Sequence, residues 1–281
     1  MTTNIPWLSV TRGDAPLLVS IPHTGLDLRG LESRLVSSWL ARKDADWWIE
    51  MLYDFASDLG ATVIRTTISR TVIDVNRDPT GASLYPGQAT TGLCPTQSFD
   101  GEALYLPGEA PEPEEIAQRR RLYFDPYHAA VVGEIERLQR RHPRIVVYDA
   151  HAIRSVIPRL FERELPHFNI GTNGGKASDP ALAAAVETVC AQTTFSRVIN
   201  GRFKGGYITR HYGRPERGVH ALQMELACRG YLRETPGPVT EALWPPRYDA
   251  EHAAPLRAVL VRILEACLSF ANHSQFDRGS A

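Results

Sequence analysis

Cysteine, surplus charge and long apolar runs are all scarce in this 281-residue sequence. The four cysteines, Cys94, Cys190, Cys228 and Cys267, lie far apart and form no CxxC pair. That spacing excludes a thiolate zinc site and a dense disulfide framework, and it suits a reducing compartment. Any metal here must therefore take histidine and carboxylate ligands. Charge is balanced, with 31 Lys plus Arg against 32 Asp plus Glu and a formal net charge of -1. Such a chain has no general pull toward nucleic acid or anionic membrane. No run of about 20 apolar residues occurs, and the opening MTTNIPWLSVTRGDAPLLVSIPH lacks a basic start followed by an apolar stretch. The expectation is a soluble, cytoplasmic protein without a nucleic-acid or membrane partner. Internal repeats, low-complexity blocks and linkers are missing too, so residues 1–281 read as one domain. What the chain does have is 43% hydrophobic and 9% aromatic residues, enough for a substantial core.

Short apolar runs alternate with helical patterns, which predicts an α/β fold. Leu17–Ile21 reads as a buried strand that stops at Pro22. From Asp44 to Leu59 the residues Trp47, Trp48, Met51, Leu52, Phe55 and Leu59 recur at helical spacing, with Gly60 as a stop, so one helix is expected there. Thr62–Thr67 and Thr71–Val75 are rich in β-branched residues and read as strands. A long Gly- and Pro-punctuated loop over 78–113 follows, then a charged surface helix over Pro113–Gln139 and a strand over Ile145–Tyr148. Asp179–Gln192 predicts a helix, Arg197–Gly213 mixes strand residues with glycines, and Val219–Leu226 alternates like a strand. Pro255–Phe270 predicts a closing helix, and the polar tail after Asn272 reads as frayed.

His23 follows the strand Leu17–Ile21, and His151 follows the strand Ile145–Tyr148. In a mainly parallel sheet the carboxyl ends of strands share one edge, where α/β folds build ligand crevices, so the two imidazoles can meet at one metal. The ordinary alternative for either is a histidine that merely hydrogen-bonds at a strand end. The accompanying acid is Asp46 or Asp44, Asp46 being preferred because Asp44 suits a helix N-cap. Asp149 is a third candidate, either orienting an imidazole or binding directly. A cationic group comprises Arg70, Asn76 and Arg77, together with Arg202, Lys204, Arg210 and His211 beside Gly205 and Gly206. In a near-neutral chain this points to a small anionic substrate held by arginine forks. Glu225, near the end of an apolar strand, is either solvated or, in a cleft, a general base and proton donor.

These residues lie in strings that resemble the N-formylglutamate amidohydrolase family: SIPHTG at 20–25, DADWWIEMLYDFASDLGA at 44–61, SRTVIDVNRDP at 69–79, YDAHAIRSVIPRLF at 148–161, NGRFKGGYITRHYGRP at 200–215 and HALQMELACRGY at 220–231. The similarity runs from about residue 15 to about residue 235. It implies a zinc-dependent hydrolase that removes formate from N-formyl-L-glutamate, the last step of one histidine-degradation route. The implied fold is a phosphorylase/hydrolase-like three-layer α/β/α sandwich with a central mixed sheet, related to zinc carboxypeptidases and aspartoacylase. Those relatives place a Glu three residues after the first zinc-binding His, whereas Leu26 stands there in this chain, so the acidic ligand must come from elsewhere. Asn76-Arg77 resembles the carboxylate-gripping Asn-Arg pair of carboxypeptidases, and Glu225 resembles their catalytic Glu. The resulting expectation has His23, Asp46 and His151 holding one zinc, Glu225 moving the proton and Arg70 stabilising the oxyanion. Arg77 with Asn76 grips one substrate carboxylate, and Arg202, Lys204 or Arg210 grips the other. The substrate partner is a small dianionic amino acid, and the assembly a monomer or homodimer. Two competing expectations are a zinc deacylase for another N-acyl acidic amino acid and a non-catalytic binder of an acidic metabolite.

Overall fold

The computed structural model describes residues 5–273. Seven strands form one mixed sheet: β1 (Leu8–Thr11), β2 (Leu17–Ile21), β3 (Thr62–Thr66), β4 (Ile145–Ile153), β5 (Phe168–Gly171), β6 (Arg197–Ile199) and β7 (Val219–Ala227), in the order β1-β3-β2-β4-β7-β5-β6. The central strands β3, β2, β4 and β7 run parallel, while β1 and β5 are antiparallel to their neighbours β3 and β7. Every residue of β2, β4 and β7 is buried. Central parallel strands are covered on both faces, which is why LLVSI and IVVY are unbroken apolar runs.

The seven helices are α1 (Ser38–Arg42), α2 (Ile49–Leu52), α3 (Pro113–Arg119), α4 (Asp125–Gln139), α5 (Pro180–Ala191), α6 (Tyr207–Tyr212) and α7 (Ala250–Asn272), counted among the described residues. Leu17, Val19, Val146 and Tyr148 pack with α2, α5 and α7 on one side, and Leu18, Ile145 and Val147 pack with α4 and α6 on the other. Successive strand residues thus feed two cores, and the three-layer arrangement with a mixed central sheet is the one the resemblance implied. No helix among the described residues is long and apolar enough to cross a membrane. All four cysteines are free and buried.

Five expectations change. The single helix over 44–59 is broken into α2 and a short 3-10 turn, Asp54–Ser57. Its start is diverted because the Asp46 amide donates to the His23 carbonyl, and Trp48 adopts a left-handed conformation with φ 63°. The Trp48 indole donates to the Pro246 carbonyl at 2.9 Å and holds that turn in place. Asp44 is consequently no N-cap; its carboxylate accepts from the Phe99 amide and Arg154. Thr71–Val75 is a chain of turns, with Val72, Ile73 and Val75 buried, so its β-branched residues record burial and not a strand. The strand beginning at Ile145 continues to Ile153, placing His151 inside it, whereas His23 does lie beyond the end of β2. Finally, α7 starts at Ala250, capped by the Asp249 carboxylate on the amides of Glu251 and His252, so Pro255 sits inside the helix. The expected frayed tail lies, from residue 274 on, outside the described residues.

Candidate active site

The site opens where β2, β4 and β7 end. His23 comes from the turn after β2, His151 from β4, and Asp46 from the segment linking α1 to α2, tied to His23 by the backbone bond just described. His151 and Glu225 are register partners on adjacent strands, as are Asp149 and Gln223. The period of two puts all four on the same face of the sheet.

Each imidazole is held from behind at Nε2. His23 Nε2 lies 2.7 Å from Asp74 Oδ1, while His151 Nε2 lies 3.0 Å from Asp149 Oδ1 and 2.8 Å from Asn76 Nδ2. Both Nδ1 atoms then face Asp46, whose Oδ2 is 3.0 Å from that of His151 and 3.7 Å from that of His23. The rings are 4.8 Å apart. His23 Nδ1 and Asp46 Oδ1 are buried without a hydrogen-bond partner. Buried polar atoms are seldom left unpaired, and here they belong to groups offering one ligand atom each within 4.8 Å of one another. Two imidazoles and a carboxylate, oriented from behind by further acids, fit a divalent cation such as zinc. Among the three candidate acids, only Asp46 joins the histidines in this cluster. Asp44 pairs with Arg154, and Asp149 stands behind His151.

Burial dominates the electrostatics but does not always win. It would raise the Asp46 carboxyl, yet the hydrogen bond from His151 and the nearby His23 ring hold it below the usual carboxylate range. Asp74 is likewise buried, and His23, Arg70 and Arg77 hold it well below that range. His151 would be lowered by burial, but Asp149 and Asp46 keep it well above the normal imidazole value. Glu225 goes the other way: burial pushes it up to about 7 against the pull of His151. Gln223 Nε2 donates to Glu225 Oε2 at 3.0 Å while Gln223 Oε1 accepts from the Gly206 amide.

A cleft joins His23, His151, Gln223 and Glu225 to four arginines, Arg70, Arg77, Arg159 and Arg202. Arg70 Nη2 donates to Asp74 at 2.7 Å, its Nη1 lies 3.6 Å from Asp46, and its guanidinium rests on the Phe99 ring. Arg77 Nε donates to the Thr91 carbonyl and lies 3.7 Å from Asp74. Asn76 lines the cleft, but its amide is committed internally, as donor to Asp149 and as acceptor to the Ile208 amide. That makes it a poor grip for a substrate carboxylate. A side chain at Gly206 would meet this amide at 2.4 Å, which is the close approach that requires glycine. Lys204 is exposed, and Arg210 donates to the Gly205 carbonyl; neither lines the cleft. Both were expected to contact substrate, but a glycine-rich loop does not reveal which of its side chains turns inward.

With this geometry in place, the family model for N-formylglutamate amidohydrolase matches residues 15–232. The chain belongs to the N-formylglutamate amidohydrolase family. It is 45% identical over 265 residues to an N-formylglutamate deformylase of Pseudomonas aeruginosa, covering 94% of this chain and 96% of that protein. A Pseudomonas putida protein of the same name is 44% identical over the same extent. The fold is shared with a crystal structure of an N-formylglutamate amidohydrolase from Ralstonia eutropha JMP134, with TM-score 0.76, 22% identity and coverage of 95% and 98% of the two chains. A gene product from Agrobacterium tumefaciens aligns with TM-score 0.69 at 17% identity, covering 94% of each chain. Around this cluster, Asp74, Gln223 and Arg159 are residues that the sequence does not single out. Asp74 was hidden in a supposed strand. Gln223 shares a strand face with Glu225, and that alternation was the available signal.

Proposed function

We propose that the chain hydrolyses N-formyl-L-glutamate to formate and L-glutamate with the help of zinc, the reaction that closes one route of histidine degradation. The observation that carries this reading is the set of orphaned ligand atoms on His23 and Asp46, with His23 and a buried Glu225 lining an arginine-rich cleft. A metal held by His23, Asp46 and His151 would supply Lewis-acid activation of the formyl carbonyl and of water. Glu225 takes the proton of the attacking water and returns it to the amide nitrogen as the C–N bond breaks, which releases formate and the free amine. Its carboxyl is steadied for both transfers by the Gln223 amide. Arg70, fixed by Asp74 and Phe99, faces the developing oxyanion, and Arg77 takes the α-carboxylate. Asn76 is a positioning residue that donates to Asp149, the acid behind His151.

The test is formate release by the purified protein on N-formyl-L-glutamate, N-formyl-L-aspartate and N-acetyl-L-glutamate. Turnover is expected to be highest on the first. Preference for the acetyl compound would replace deformylation with a different deacylation.

A further inference from the structure

The four cleft arginines are not electrostatically equivalent. Arg70 and Arg77 share the carboxylate of Asp74, the acid that holds His23. Arg159 and Arg202 have no carboxylate within ion-pair distance among the described residues. Arg202 donates from Nε to the Leu160 carbonyl and from Nη2 to the Ala89 carbonyl, and Arg159 donates to the Ser98 carbonyl and to Gln97 Oε1. These neutral acceptors fix direction without cancelling charge. Arg202 is further sandwiched by Tyr85 and Phe203, with ring centroids at 5.4 and 5.3 Å. Gly101, at φ +93°, lies so close to the Arg159 stem that an added Cβ would sit 3.2 Å from its Cδ. Two oriented, uncompensated guanidiniums on one wall of a cleft form a receptor for an anion.

Substrate chemistry decides which anion. The α-carboxylate is attached to the same carbon as the scissile nitrogen, so it must bind near the metal cluster, where Arg77 is. The side-chain carboxylate of glutamate lies two methylenes further out. We infer that Arg159 and Arg202 hold the side-chain carboxylate and set which acidic amino acid the cleft accepts. This rests on the function proposed above. Arg202 supplies the half-buried, ring-stacked contact, and Arg159, exposed at the mouth, closes the clamp from outside.

The experiment measures kcat/KM of Arg202→Met and Arg159→Met on N-formyl-L-glutamate and on N-formyl-L-glutamine, which has the same length without the charge. Loss of a charge-assisted contact predicts falls of roughly a hundredfold and tenfold on the first substrate, with changes under about threefold on the second. Arg159→Lys, which keeps a cation, is expected to recover part of the loss. Equal falls on both substrates, or no fall on the charged one, would overturn the assignment. A merely structural role moves both substrates together. Absence of formate release from the unsubstituted protein would instead count against the proposed reaction. In that event calorimetry with L-glutamate decides the clamp: binding weakened about tenfold in Arg202→Met supports it, and unchanged binding overturns it.

Discussion

The floor and the wall of the cleft are built on opposite principles. Floor groups, His23, His151, Asp46, Asp74 and Glu225, are all buried and mostly held by charged partners, so each fixes the orientation and ionisation of the next. Wall groups, Arg159, Arg202 and Tyr85, are long side chains on loops whose hydrogen bonds go mainly to backbone carbonyls. The difference teaches that the chemistry is set by buried groups that hold one another, and the choice of substrate by loop side chains that can change without disturbing the His23, Asp46 and His151 cluster. Changes to the floor should therefore act on kcat and metal content, and changes to the wall on KM.

The largest expected effect is on the floor. Glu225→Gln keeps the contact to Gln223 and the volume but removes the proton acceptor, so kcat should fall about a hundredfold or more while elemental analysis finds the metal content unchanged. Near-normal turnover would dismiss the proton role. Asp74→Asn loosens His23 from behind and should weaken metal affinity by roughly ten- to a hundredfold, read by competition with a chelator. Unaltered affinity would show that His23 is held well enough without it. On the wall, Tyr85→Phe deletes the hydroxyl that donates to the Gly205 carbonyl and accepts from the Lys204 amide. A net loss of about 1 kcal/mol corresponds to a rise in KM of roughly fivefold at constant kcat. A fall in kcat rivalling that of Glu225→Gln would break the floor and wall distinction.

The smallest effect on catalysis lies outside both regions and is a control on stability. Burial lowers His128 to about 4; its Nε2 donates to the Val75 carbonyl and its Nδ1 accepts from the Tyr212 hydroxyl. The unfolded chain binds this proton near pH 6.5 and the folded chain does not, so stability declines as pH falls from about 6.5 toward 4, by up to roughly 3 kcal/mol. Thermal melts of His128→Phe should show a flatter pH dependence over that window, although the variant is less stable overall. An identical slope would place the acid sensitivity elsewhere.

Much of the floor was legible before any coordinates. His23 could be placed because an apolar strand stops at Pro22 just before it, and Glu225 because polar residues alternate with apolar ones along β7. Asp44 has the sequence position of a helix N-cap, yet its carboxylate caps no helix and instead accepts from the Phe99 amide and Arg154. Asp46 clusters with His23 and His151 because its amide bonds to the His23 carbonyl, a tertiary contact invisible to periodicity. The same contact broke the expected helix, even though Ile49, Leu52 and Phe55 still face the core and preserve the helical pattern. Asp74 was obscured because burial alone enriches β-branched residues in a turn-rich segment. On the wall little could be read: Lys204, Arg210, Arg202 and Arg159 differ in which way a loop turns them, and that is decided by acceptors as remote as the Ala89 carbonyl.

The most direct test of the central claim is formate release from N-formyl-L-glutamate after chelation and zinc add-back, with metal content measured in parallel. Release is expected to vanish with the metal and to return as about one zinc per chain is restored, in the unsubstituted protein but not in His23→Ala or His151→Ala. Undiminished release from metal-free protein would contradict it.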